Sequence, residues 1–156
     1  MRIFLCLLLL LSGTACTQTQ SDRPVVMVKT EDAEMNAAIE QAQKTLPVFW
    51  KAFENPAADE SEFFVKLAIT DGKETEHFWI GKIKREAGKL VGVIENDPEV
   101  VTNVKYQQKV VVDEARISDW KFEKGGTTKG GYTIAVLLKR ISKNEADEIK
   151  KQLGWN

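Results

Sequence analysis

Apolar positions along this chain follow two different periods. Over residues 35–53 they recur at steps of three and four, a stripe that only a helix places on one face. Asp32, or Thr30 just before it, can cap the start of this helix. Pro47 lies inside the stripe, so we expect a helix to about Thr45 and a second turn or kinked continuation over 46–53.

Beyond residue 62 the apolar residues come in short stretches, several of which alternate with polar ones as in β-strands. The predicted strands are 63–69, 76–84, 90–95, 110–112 and 119–123, with a further short edge strand at 24–29. Residues 71–73 and 87–89 contain glycine and have the composition of hairpin turns. Strands of this spacing predict a bent antiparallel sheet or a small, partly open barrel of about five strands.

After a glycine-rich turn at 125–131, the rest of the chain returns to helical patterns. Residues 132–141 are apolar, and their length favours a helix. Ser142 and Glu145 have the spacing of a capping box, which predicts a final helix that Gly154 can end. The predicted fold class is therefore α+β, with one sheet, an N-terminal helix and two C-terminal helices.

The first sixteen residues predict export followed by lipid attachment. Arg2 precedes an apolar run over 3–11, which has the length of a signal-peptide core and is shorter than the roughly 20 residues of a transmembrane helix. Small residues then lead to Cys16, an arrangement that resembles the lipobox of bacterial lipoproteins. Gly13 stands where that motif usually has leucine. The alternative is ordinary cleavage after Ala15, which would give a secreted periplasmic protein.

On the lipoprotein interpretation, residues 1–15 are a signal peptide and 16–24 comprise the lipidated Cys16 and a flexible polar tether. Residues 25–156 then form a single domain. Two or more acyl chains attach a protein to a membrane durably without a spanning helix. Thr17, rather than aspartate, follows the cysteine, so the resemblance implies the outer membrane, with the domain facing the periplasm.

Composition disfavours several kinds of chemistry. Cys6 belongs to the leader and Cys16 to the lipobox, so we expect no disulfide, cysteine nucleophile or thiolate metal site in the domain. The 22 basic and 23 acidic residues nearly balance, which disfavours nucleic-acid binding. His77 is the one histidine, too few for a zinc site, and we predict no metal and no cofactor. A pairing of His77 with Ser61 or Ser118 is formally available, but no nucleophile-elbow motif supports it.

Two carboxylates, Asp97 and Asp119, are the candidates for acid–base or glycosidic chemistry, if the fold brings them together. A structural interpretation is favoured for both. Asp97 and Asn96 would form a turn ahead of Pro98, and Asp119 would hydrogen-bond local backbone where a strand bends.

The glycine-rich turn and three aromatic residues are candidates for binding. Gly130, Gly131 and Lys129 could cradle an anion at the start of the following helix, although a plain turn is the favoured interpretation. Trp79, Trp120 and Tyr132 could anchor an interface at a sheet edge, with one or two of the rings expected in the core.

Several sequence blocks together resemble the YegJ-like family, a bacterial domain of unknown function. They are Phe64-Val65-Lys66, Glu76-His77-Phe78-Trp79, Gly92 through Asn96-Asp97-Pro98, Ile117-Ser118-Asp119-Trp120, and Gly130-Gly131-Tyr132-Thr133. The segment 34–47 is similar to the family's N-terminal helix, so the resemblance covers about 25–141. It implies no established activity and no catalytic residues.

The sequence thus predicts a membrane-anchored periplasmic binding or envelope-accessory module that is not an enzyme, with a protein partner in the envelope. Its candidate binding surface comprises Trp79, Asn96, Asp97, Asp119, Trp120, Lys129, Gly130, Gly131 and Tyr132. Two alternatives stay open: an immunity-type inhibitor of a periplasmic toxin, and a carboxylate-dependent cell-wall hydrolase.

Overall fold

The structure, a computed structural model, describes residues 32–155. The helices are α1 (Ala33–Glu54), α2 (Tyr132–Leu138) and α3 (Lys143–Gln152). The strands are β1 (Glu60–Asp71), β2 (Glu74–Glu86), β3 (Lys89–Ile94), β4 (Lys109–Val111), β5 (Ile117–Lys124) and β6 (Thr127–Gly130). The predicted signal peptide, lipidated Cys16, tether and edge strand at 24–29 lie outside the described residues.

Helix α1 runs without a break from Ala33 to Glu54, so the chain continues as helix beyond Thr45, which was one of the two expectations, and no separate second turn forms. The side chain of Asp32 caps its start by accepting a hydrogen bond from the Met35 N–H at 3.0 Å. Pro47 lies inside the helix and lacks the N–H that would bond the carbonyl four residues earlier. The helix continues because the turn after Pro47 carries Phe49, which is fully buried against the sheet. Burial of that aromatic turn outweighs the lost hydrogen bond.

The six strands form one open antiparallel sheet in the order β4-β3-β2-β1-β5-β6. The α+β class, the antiparallel sheet and the three helices confirm the sequence prediction, and the sheet does not close into a barrel. Strand β6 was not predicted, because 127–130 reads as part of a glycine-rich turn. It pairs with β5 through a tight turn at Gly125-Gly126, where both glycines have positive φ.

The hydrophobic core lies between α1 and one face of the sheet. Phe49 is at its centre, with five ring centroids within 4.9–6.5 Å of its own. Those rings belong to Trp50, Phe53, Phe63, Trp120 and Phe122. Alternate residues of the central strands, Val65 in β1 and Ile80 in β2, point to the same face and are fully buried. The neighbouring positions therefore face away from α1.

Helix α3 starts and ends as its sequence predicts, whereas α2 is shorter than the predicted 132–141. Ser142 and Glu145 form the complete capping box at the start of α3. At its end, Gly154 adopts a φ of 65°, and the N–H groups of Gly154 and Trp155 donate to the carbonyls of Lys151 and Lys150. This pattern is a Schellman motif, in which a left-handed glycine satisfies the last carbonyls of the helix.

Candidate functional site

Asp119 joins the sheet to α2. Its side chain is fully buried, and both carboxylate oxygens accept hydrogen bonds. Oδ1 accepts from the backbone N–H of Trp120 at 2.8 Å and of Tyr132 at 3.2 Å. Oδ2 accepts from the N–H of Thr133 at 2.8 Å and from its hydroxyl at 2.6 Å. Asp119 thus bonds local backbone, as expected, and its hydrogen bonds extend to the first turn of α2.

The carboxylate of Asp119 takes the position where an external anion would bind at the start of α2. The first N–H groups of a helix attract negative charge, and here the chain itself supplies that charge. Gly131 precedes α2 with a φ of 73° and donates its N–H to the Trp120 carbonyl at 2.8 Å. Lys129 is exposed on β6. The predicted anion cradle formed by Gly130, Gly131 and Lys129 is therefore not available at this helix.

Lys66 lies opposite Asp119 across the β1–β5 pair. Its ammonium donates to the Thr133 hydroxyl at 3.1 Å, and that hydroxyl donates to Asp119, so the three side chains form a chain of hydrogen bonds. Burial lowers the pKa of the Lys66 ammonium, and the negative charge of Asp119 opposes this change. Burial also raises the pKa of the Asp119 carboxyl, and its hydrogen bonds to Thr133 and Trp120 oppose the rise.

Two aromatic rings and two lysines alternate on the sheet face that points away from α1. Lys66 pairs in register with Trp79 of β2, and Phe64 pairs with Lys121 of β5. The Lys66 ammonium lies 5.4 Å from the centroid of the Trp79 ring, and the Lys121 ammonium lies 5.2 Å from the same centroid. Lys121 also lies 4.7 Å from the Phe64 centroid. These are cation–π distances. We call Phe64, Lys66, Trp79 and Lys121 the lysine–aromatic face.

His77 and Ser118 lie beside this face, but their geometry is not that of a hydrolase. Nδ1 of His77 is 2.7 Å from the Ser118 hydroxyl oxygen, which is 3.2 Å from the carbonyl oxygen of Lys66. When Ser118 donates its one proton to that carbonyl, His77 must donate from Nδ1, which is the opposite of a general base. Ser118 is only 4% exposed. Burial lowers the pKa of His77, and the charge of Lys66 lowers it further.

The three aromatic residues do not share one sheet edge, because they lie on different faces, and the expectation that one or two of the rings lie in the core is confirmed. Trp120 is 3% exposed, faces the core and donates its indole N–H to the Ala42 carbonyl at 2.9 Å. Tyr132 packs edge-on against Trp120, with ring centroids 5.8 Å apart. Trp79 alone of the three lies on the opposite face. Of these three aromatic residues, Trp79 is therefore the one that is placed to contact a partner.

The two predicted carboxylates do not form an acid–base pair accessible to a substrate. Asp97 is exposed, whereas all the hydrogen bonds of the buried Asp119 are made within the protein. The side chain of Asn96 does not share a turn with Asp97, because its Oδ1 accepts a hydrogen bond from the Trp79 N–H at 2.9 Å. Asn96 thus holds the end of β3 against β2. These contacts give the hydrolase alternative no support.

Sequence reasoning missed Lys66, Lys121 and Phe64, the other three members of the lysine–aromatic face. Alternation within the predicted strands carried a signal for them. Residues 64 and 66 occupy alternate positions of β1, as do 119 and 121 of β5, so each pair shares a face. What alternation does not give is the register that places Lys66 between Trp79 and Asp119.

Residues 32–155 contain neither a candidate metal cluster nor a candidate membrane-spanning helix. No group of three or more His, Cys, Asp or Glu side chains in this part of the chain could hold a metal ion. Within the same residues, no helix combines the length and apolar character needed to cross a membrane.

Comparison with known proteins places the chain in a bacterial family. Residues 32–156 match the family described as "Uncharacterized protein conserved in bacteria (DUF2314)". Over 152 residues the chain is 40% identical to the Escherichia coli K12 protein named "Uncharacterized protein YegJ", and the match covers 97% of each chain. It is 30% identical over 135 residues to a putative ankyrin repeat protein of Neisseria meningitidis serogroup B, covering 81% of this chain and 53% of that protein. No solved structure matches it. The chain therefore belongs to the DUF2314 family, as its resemblance to YegJ-like proteins implied.

Proposed function

We propose that this protein is a non-enzymatic binding module of the bacterial envelope, held on the outer membrane by a lipid on Cys16. Its protein partner contacts the lysine–aromatic face. The observation that supports this proposal is the cross-strand array of Phe64, Lys66, Trp79 and Lys121 on the sheet face opposite α1. Aromatic residues are enriched at the centres of protein interfaces, where they contribute most of the binding energy.

The lysine–aromatic face is ordered before any partner arrives. Strand β1 is central in the sheet and hydrogen-bonded on both sides, so the positions of Phe64 and Lys66 are fixed by two neighbouring strands. The lysine ammoniums rest against the rings, which restricts the long lysine side chains. A surface ordered in this way loses little conformational entropy on association. A catalytic role has less support, because the side chains of Asp119 and Ser118 are both buried and therefore not accessible to a substrate.

Photo-cross-linking in intact cells tests the location of the partner. The full-length protein carries a photoreactive phenylalanine analogue at Trp79 or Phe64, and at Val48 or Val111 as controls. Val48 and Val111 are 55% and 57% exposed, and lie on α1 and on the edge strand β4. We expect a discrete cross-linked protein from positions 79 and 64 only, identified by mass spectrometry. Equal products from the control positions, or none from positions 79 and 64, would contradict the proposal.

The identity of the cross-linked protein also separates the two kinds of binding module. An envelope component supports an accessory role. A toxin that the cell itself produces supports the immunity-type inhibitor, which would use the same surface against a different partner.

Lipid attachment has a separate test. Cells grown with a palmitate analogue should label the wild-type protein and the Cys6→Ala variant, because residue 6 is removed with the leader. The Cys16→Ala variant should carry no label, since it lacks the thiol that receives the acyl chain. Labelling that persists in Cys16→Ala would show that the lipobox interpretation is wrong. A wild-type protein without label would also contradict it and would favour the secreted periplasmic alternative.

A further inference from the structure

We propose that Nε2 of His77 is a hydrogen-bond acceptor site beside the lysine–aromatic face. It takes an uncharged donor of the protein partner, a side-chain hydroxyl or an amide N–H. This inference rests on the proposed function and deepens it by naming a chemical group that the partner presents. It gives His77 a contact with the partner in addition to its bond to Ser118 within the protein.

A β-bulge directs Ser118 towards His77. The pairing of β1 with β5 shifts between Lys66 and Leu67, where Ser118 is the extra residue of β5. Such bulges re-aim a side chain and are frequent beside functional sites. His77 pairs with Ala68 of β1, and β1 separates β2 from β5, so the imidazole reaches across β1 to meet Ser118.

The hydrogen bonds of Ser118 decide which nitrogen of His77 carries the proton. The Ser118 hydroxyl oxygen lies 3.2 Å from the carbonyl oxygen of Lys66, which can only accept, and 2.7 Å from Nδ1 of His77. One hydroxyl proton cannot serve both contacts, so Nδ1 donates to the serine oxygen. In a neutral imidazole the other nitrogen then has no proton, and Nε2 presents a lone pair.

The lone pair of Nε2 is available to a partner. His77 is exposed overall, although the Nδ1 side of its ring packs against Ser118. That contact is the one hydrogen bond that the ring makes within residues 32–155. Partial burial and the positive charge of Lys66 lower the pKa of His77 below its ordinary value of 6.5, so the imidazole is neutral at pH 7.

The neighbours of His77 restrict what the partner can offer. Trp79 lies two residues further along β2 and therefore on the same face, so a partner that covers its ring also comes close to His77. The positive charge of Lys66 acts on the imidazole and disfavours a cationic donor there. A carboxylate has no proton to donate to Nε2. An uncharged hydroxyl or amide group satisfies both conditions.

NMR spectroscopy of the full-length protein with isotope-labelled histidine tests the state of the ring. The chain has one histidine, so its ring signals need no assignment. At pH 7 we expect a protonated Nδ1 and an unprotonated Nε2. A proton on Nε2, or an imidazolium with both nitrogens protonated, would overturn the inference, because either form removes the lone pair.

Two substitutions separate the contact with the partner from the bond within the protein. In His77→Asn the side-chain amide nitrogen can replace Nδ1 and donate to Ser118, but nothing replaces Nε2. In His77→Gln the longer side chain can place its amide oxygen near the position of Nε2, and Ser118 loses its donor. Both variants are compared with the wild type by thermal unfolding and by the yield of cross-linked partner in intact cells. The photoreactive phenylalanine analogue is at position 64, so Trp79 stays in place.

We expect the two variants to show opposite losses. His77→Asn should lower the cross-link yield about tenfold, because one acceptor is lost, and should leave the unfolding midpoint nearly unchanged. His77→Gln should lower the midpoint and keep most of the yield. An unchanged yield in His77→Asn, or equal losses of yield in the two variants, would overturn the inference while the proposed function stands. If the wild type gives no product from position 64, the proposed function falls and this inference falls with it.

Discussion

The Asp119→Asn substitution should lower the free energy of unfolding by about 3–5 kcal/mol. The native carboxylate accepts four hydrogen bonds while fully buried, three of them from backbone N–H groups. An asparagine side chain offers one oxygen, and its NH₂ group would face donors where an acceptor is needed. The substitution also removes the negative charge opposite Lys66. Urea denaturation followed by circular dichroism measures the change.

Asp97→Asn is the matched control, because it makes the same chemical change at an exposed position. We expect it to alter the free energy of unfolding by no more than about 0.5 kcal/mol. Similar losses for the two variants would contradict the role assigned to Asp119. A near-neutral Asp119→Asn would mean that the carboxylate does not hold the start of α2.

The sequence predicted the helices and most strands because their patterns are local. The apolar stripe over 35–53 can be recognised without knowing the rest of the fold. The capping box likewise involves only Ser142 and Glu145, which are three residues apart. At two places tertiary packing decides the outcome and local rules do not. Pro47 is tolerated because the turn after it is buried, and β6 forms from a Gly/Thr/Lys segment because β5 offers it an edge.

The candidate site could not be predicted from local sequence patterns, for a different reason. Lys66 and Asp119 are far apart in sequence, and Trp79 lies in a third strand, so only the pairing register brings them together. The three aromatic residues that were singled out illustrate the same limit. Alternation can say that Trp120 and Phe122 share a face, but which face meets α1 depends on the whole sheet. The presence of amphipathic aromatic residues therefore suggests an interface, but it does not show which face of the sheet carries that interface.

The Gly130→Ala substitution should cost about 3 kcal/mol of folding free energy. Gly130 has a φ of 78°, and a Cβ placed there would lie 2.1 Å from the Trp120 carbonyl oxygen and 2.5 Å from its ring. The carbonyl cannot easily retreat, because it accepts the Gly131 N–H at 2.8 Å. Relief of the overlap would shift the start of α2, and with it the hydrogen bonds that Thr133 makes to Asp119 and Lys66.

Gly126→Ala separates the overlap from the backbone strain. Gly126 has a φ of 74°, close to that of Gly130, but a Cβ there would meet nothing within 4 Å. Both variants carry the strain of a left-handed alanine, about 1 kcal/mol, and only Gly130→Ala adds the collision. Thermal unfolding of the two variants should therefore differ by about 2 kcal/mol. Equal destabilisation by Gly130→Ala and Gly126→Ala would mean that the backbone between β6 and α2 shifts easily enough to accommodate the added methyl group. The positions of Lys66 and Thr133 would then not depend on close contact between Gly130 and Trp120.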